Sequence, residues 1–84
     1  MRIAYFSWIR ERVGRTGEEL ELPPGVETVD DLLRWLKTRG EEFQAALEHD
    51  AVVRVAIDQQ HVPSRAASVR AAREIALFPP MTGG

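Results

Sequence analysis

Cysteine is absent from the chain. That excludes disulfides, thiolate nucleophiles and sulfur-ligated zinc, and it leaves the fold to rest on packing alone. Histidine is nearly as scarce: His49 and His61 stand alone, at no metal-ligand spacing from each other, so they read as solvated surface residues and no metal is expected. Excess basic charge is also missing. Lys and Arg total 11 against 13 Asp and Glu, a net charge of -2, which offers no general field for an anionic polymer and argues against nucleic acid as a partner. No stretch approaches the roughly 18 apolar residues of a membrane helix, and the N-terminus lacks the basic-then-apolar pattern of a secretory signal. A cytoplasmic, unexported protein is the expectation. What is present, 44% hydrophobic and 29% charged residues over 84 positions, suffices for one compact core and not for two.

Along the chain, Ile3 to Phe6 is apolar at every position and reads as a central strand covered on both faces. Trp8 to Val13 changes period, with Ile9 and Val13 four apart, and predicts a short helical connection ending at Gly14. Thr16-Gly17 reads as a turn, and Glu18 to Leu22 alternates as a half-exposed strand with Leu20 and Leu22 on one face, stopped by Pro23-Pro24-Gly25. The clearest helix starts at Thr28, with Asp31 completing a capping box and Val29, Leu32, Leu33 and Leu36 on one stripe; Gly40 stands where a C-terminal cap is expected. A second helical segment, Glu41 to Glu48, would bury Phe43, Ala46 and Leu47. Val53, Val55 and Ile57 predict a third strand, Asp58-Gln59-Gln60 a turn, and His61-Val62 an edge return before Pro63. Ala66 to Arg73 reads as loop, and Glu74 to Phe78 as the last strand, ended by Pro79-Pro80. This order predicts a two-layer α+β fold occupying residues 1–80, with a flexible tail at 81–84.

Residues suited to chemistry are sparse. Ser7, Ser64 and Ser68 lie in no nucleophile elbow, and the acidic pairs at 18–19, 30–31 and 41–42 are accounted for by a wet strand face and two helix first turns. Arg65, Arg70 and Arg73 read as a solvated loop rather than a nucleic-acid contact, and Trp8 and Trp35 as core or partner contacts. The exception is the end of the chain. Gly83-Gly84 after a proline-terminated strand stabilises nothing in the fold, and the bland reading is a frayed end. The sharper reading is that a tip without side chains can thread a narrow channel in another protein, where any Cβ would clash, on a base stiffened by Pro79-Pro80.

Phe78-Pro79-Pro80-Met81-Thr82-Gly83-Gly84, preceded by Glu74-Ile75-Ala76-Leu77, resembles the C-terminal signature of the small subunit of molybdopterin synthase, a ubiquitin-like β-grasp sulfur carrier. Arg10-Glu11-Arg12-Val13-Gly14 resembles that family's segment after the first strand, and Thr28 to Leu36 its capped helix. Leu77, Asp58 and Ala71-Ala72 depart from the usual pattern. The resemblance implies a β-grasp fold, a mixed sheet covered on one face by a helix. It further implies that Gly84 is adenylated by an E1-like adenylyltransferase using ATP, with no permanently bound cofactor on this chain. The terminal carboxylate would become a thiocarboxylate and donate sulfur to a pterin precursor. Gly83, Thr82 and Met81 would enter the large catalytic subunit of molybdopterin synthase, while Phe78, Pro79, Pro80, Phe6 and Arg10 would meet the partner surface, with core packing the rival reading for Phe78 and Phe6. No catalytic side chain is expected on this chain itself. A carrier for thiamine synthesis or tRNA thiolation, a lysine-conjugated modifier, and a non-catalytic interaction module remain alternatives.

Overall fold

A computed structural model describes residues 1–80; the expected tail at 81–84 lies outside the described residues. The strands are β1 (Arg2–Tyr5), β2 (Gly17–Glu19), β3 (Arg54–Ile57), β4 (Gln60–His61) and β5 (Glu74–Phe78), and the helices are α1 (Ser7–Val13), α2 (Val29–Lys37) and α3 (Glu41–Ala46), with a 3-10 turn at Asp50–Val52. The strands form one mixed sheet in the order β2-β1-β5-β3-β4. β1 and β5 run parallel at its centre, Ile3 opposite Ile75 and Tyr5 opposite Leu77, and the flanking pairs are antiparallel.

One face of this sheet carries the core. Ile3, Tyr5, Val55, Ile75 and Leu77 point into it and meet Leu32, Leu33 and Leu36 of α2 with Phe43 and Ala46 of α3, all buried. The expectation that the first strand is covered on both faces is corrected here: Ala4 is only half-buried, and the strand ends at Tyr5. Phe6 instead precedes α1 and is 46% exposed, because the chain swings out of the sheet at Ser7, whose φ is 55°. The second strand is also shorter than expected. Pairing with β1 runs to Arg2 opposite Glu19, Leu20 donates to the Met1 carbonyl, and Leu20 and Leu22 pack against the core from outside any strand.

α1 closes as expected on Gly14, which takes the left-handed conformation (φ 88°) and donates to the Arg10 carbonyl at 2.9 Å. α2 opens on a full capping box, Asp31 N–H donating to Thr28 Oγ1 and Thr28 N–H to Asp31 Oδ2, both at 3.2 Å. Its C-terminal cap is Thr38, and Gly40 is the N-cap of α3, with φ 160°, an extended geometry that any residue adopts. α3 stops at Ala46, short of the expected Glu48, although Leu47 is buried as anticipated.

The stretch from Ala66 to Arg73 is a loop, largely exposed but anchored at its middle. Val69 is fully buried and donates to the Glu27 carbonyl at 2.9 Å, while the carbonyls of Ala67 and Arg65 accept from Val29 and Asp30, each at 3.0 Å. The loop thus satisfies helix donors that the capping box leaves open. Arg65 donates to the carbonyls of Asp50 and Val53, and Arg70 to that of Val26, so two of the three clustered arginines staple backbone instead of facing a polyanion.

The edge strand β2 is tied down by Glu18. Its carboxylate accepts from Arg39 through two bonds of 2.9 Å, from Tyr5 Oη at 2.7 Å and from Arg15 at 3.1 Å. Arg39 in turn lies over the Phe43 ring, 4.6 Å from its centroid. The Arg39 bonds hold the Glu18 carboxyl below its ordinary value of 4.5, and burial raises the Tyr5 hydroxyl above its own. A carboxyl depressed on folding contributes stability above its unfolded value, and that contribution is lost as pH falls through the lower folded value. Glu18→Gln is therefore expected to cost about 1–3 kcal/mol at pH 7. The gap from the parent should narrow below pH 4.5, as read from urea unfolding across pH; a gap constant over that range would show that the network carries no charge-dependent stability.

Candidate functional site at the tail root

The candidate site is built from the end of a central strand. β5 lies between β1 and β3, and its last residue, Phe78, is opposite Arg54, the first residue of β3. Phe6 N–H donates to the Leu77 carbonyl at 3.1 Å, the last rung between the two parallel strands. Arg10 N–H reaches the Phe6 carbonyl at 3.4 Å, one helical turn on. The backbones of Phe6, Arg10, Phe78, Pro79 and Pro80 therefore lie at one end of the sheet. Met81, Thr82, Gly83 and Gly84 lie outside the described residues. The prolines have fixed φ and no N–H to extend the ladder, so β5 stops where they begin.

Phe78 is half-buried, on the sheet face opposite Leu77, and its ring meets His61 at 6.0 Å between centroids. It belongs to the face away from the helices. On that face the register sets Gly17, Ala4, Ala76, Ala56 and His61 in one row across all the strands. Three alanines keep side chains short in the middle of the face, while at its Gly17 end the Arg2 guanidinium lies within 3.1 Å of where a Cβ would stand. Gly17 is confined there: a Cβ would stand 2.7 Å from the Ile3 carbonyl oxygen. Sequence reasoning missed this row, because alanine in a strand carries no signal until register shows which residues stand side by side.

Among the described residues there is no group of His, Asp and Glu able to hold a metal, and no buried polar side chain lacks a hydrogen-bond partner. A cleft of about 520 Å³ is lined by Asp58, Gln59, Arg73 and Glu74, at the opposite end of β5 from the tail. Asp58 there accepts from the Arg73 and Glu74 N–H groups, both at 2.9 Å, which clamps the turn before β5. Among the described residues, no helix is long and apolar enough to cross a membrane.

Comparison with known proteins resolves the family. The ThiS family model matches residues 3–84. The chain belongs to the ThiS family. It is similar over all 84 residues, at 32% identity and across 99% of the relative's length, to the molybdopterin synthase sulfur carrier subunit of Haemophilus influenzae. Among solved structures, SAMP1 from Haloferax volcanii superposes with a TM-score of 0.71 at 25% identity, covering 100% of this chain and 98% of that one. A Pyrococcus furiosus protein provisionally described as molybdopterin converting factor, subunit 1, superposes with a TM-score of 0.73 at 28% identity over 95% of each chain. This member of the ThiS family has the ubiquitin-like β-grasp architecture of those structures, a mixed sheet with helices on one face.

The two neighbouring residues at the end of β5 should respond differently to truncation. Leu77→Ala, in the core, is expected to cost about 2–5 kcal/mol, whereas Phe78→Ala, on the open face, should cost under about 2 kcal/mol. Equal losses in chemical denaturation would place Phe78 in the core and remove it from the candidate surface.

Proposed function

We propose that the chain is a sulfur carrier acting through the carboxyl group of Gly84, and that its recipient is a molybdopterin-forming enzyme. The reading is carried by the family match, which runs through Gly83 and Gly84, and the full-length similarity to a molybdopterin synthase sulfur carrier subunit supports the choice of recipient.

A carboxylate is a poor electrophile. Attack of the Gly84 carboxylate on the α-phosphorus of ATP, on an E1-like adenylyltransferase, would expel pyrophosphate and leave an acyl adenylate with AMP as a good leaving group. A persulfide would displace AMP, and reductive cleavage of the sulfur–sulfur bond by a thiol would leave the terminal thiocarboxylate. With no cysteine in the chain, Gly84 is the one position able to carry transferable sulfur in this way. The loaded tail would then enter a large catalytic subunit, where basic groups stabilise its charge and the sulfur passes to a pterin precursor. Two loaded carriers would supply the two sulfurs of a dithiolene. This chain's share is positional: β5 aims the tail, and the row of small residues with Phe6 and Phe78 gives the partner a surface to close on.

A second reading, joining Gly84 to a lysine of another protein, has specific support in the similarity to SAMP1, the small archaeal modifier protein 1 of Haloferax volcanii. The two readings share the adenylate and differ in its fate.

Incubation with the cognate activating enzyme, ATP and a persulfide donor is expected to raise the intact mass by about 16 Da, sulfur replacing oxygen. Deleting Gly84, or adding a residue after it, should abolish this gain without shifting the thermal midpoint. Gly83→Ala should slow sulfur delivery to the large subunit through its added Cβ. An unchanged mass in the parent chain would overturn the carrier reading, and an amide to a substrate lysine in place of the gain would favour the second.

A further inference from the structure

An activated glycine carbonyl is open to any amine that reaches it, and amines are the nucleophiles this chain nearly lacks. Of its 11 basic side chains, Lys37 is the sole lysine and all the others are arginine. A guanidinium stays protonated throughout the physiological range and offers no lone pair for attack, so these positions carry positive charge without nucleophilicity. The amines that remain are both engaged. The Met1 ammonium donates to the Leu20 carbonyl at 3.0 Å, with Glu19 Oε2 4.0 Å away. Lys37 Nζ donates to Asp50 Oδ2 at 2.6 Å.

The position of Lys37 gives this pairing its meaning. Lys37 ends α2, and Asp50 opens the 3-10 turn that leads into β3. β3 begins at Arg54, opposite Phe78, so the turn that carries Asp50 leads directly into the strand flanking the tail root. Arg65, bonded to the carbonyls of Asp50 and Val53, fixes the turn that presents the carboxylate. The Lys37 side chain is 35% exposed and the Asp50 side chain 34%, so a chain end could reach the amine once the contact opens.

We propose that Lys37 is a latent acceptor for the activated Gly84 carbonyl, of the same or another copy of the chain, and that Asp50 holds it closed. The proposal rests on the reading of Gly84 as the activated group. In the step, the Lys37 ammonium leaves the carboxylate and gives its proton to solvent. The amine attacks the carbonyl carbon, the bond to AMP or to a thiol leaving group breaks, and a second proton is lost to give an amide. Neither oxidant nor reductant is needed. The pair and the arginine-rich surface together would spare the carrier from consuming itself.

The test uses the full chain prepared with a small-thiol thioester at Gly84, incubated without any activating enzyme, with amide at Lys37 quantified by peptide mapping. Asp50→Asn is expected to raise the rate at Lys37 roughly two- to fivefold, the range a half-exposed ion pair supports, and Lys37→Arg to abolish that product. Arg54→Lys, which adds an exposed amine beside the tail root, should be acylated faster at position 54 than at Lys37. Equal Lys37 rates in the parent and Asp50→Asn would overturn the proposal, as would no acylation of the introduced amine. Because the thioester is made chemically, these failures leave the sulfur-carrier reading standing. That reading fails separately, through an unchanged mass with the activating enzyme.

Discussion

Everything functional in this molecule depends on the parallel pairing of β1 with β5. A parallel pair needs a long crossover, and here that crossover is nearly the whole chain: α1, β2, α2, α3 and the β3–β4 hairpin all lie between the two strands. The first and last strands thereby become the centre of the sheet. A chain end leaving a central strand is flanked by neighbours on both sides, so β5 is held by ladder bonds up to Phe78. Pro79 and Pro80 then end the ladder, since neither has an N–H to donate. The point and direction at which the chain leaves the sheet are fixed by the most buried part of the fold.

The same pairing divides the sheet into an open face and a packed one. Ile3, Tyr5, Ile75 and Leu77 are buried against the helices, and the alternate residues Ala4, Ala76 and Phe78 look the other way. A five-stranded sheet open on one side exposes its edges as well, and the edge strand β2 spans only Gly17–Glu19. A strand that short contributes little pairing energy by itself. Glu18 compensates by reaching past its own strand to Tyr5 and to Arg39 beyond α2, which joins the sheet edge to the helical layer through one carboxylate.

The sequence is most legible where one physical rule acts alone. The stripe Val29, Leu32, Leu33, Leu36 with Thr28 and Asp31 specifies α2 through periodicity and capping together, and all six behave as read. Legibility fails where distant parts of the chain decide the outcome. Leu20 and Leu22 alternate like strand residues, but a strand needs a partner, and the number of β1 residues left to pair is not written near them. Gly40 fits the pattern of a helix stop, yet α2 has already closed on Thr38. Phe6 reads as the end of a strand covered on both faces as well as a surface candidate, and the turn at Ser7 decides for the surface. At the candidate site the local motif at the chain end was visible at once, whereas the row of small residues behind it needs the register of several strands.

That row also bears on why the chain carries so few reactive groups. A carrier of the kind proposed delivers a reactive carbonyl into another protein, and thiol or amine nucleophiles of its own would compete with the intended acceptor. The absence of cysteine and the presence of a single lysine fit that reading. The three alanines in the middle of the open face add no reactive side chain there. On the proposed reading the chemistry of the chain rests in the Gly84 carbonyl, and the fold contributes the central strand that carries it. On the same reading the Lys37–Asp50 ion pair restrains the chain's sole lysine amine.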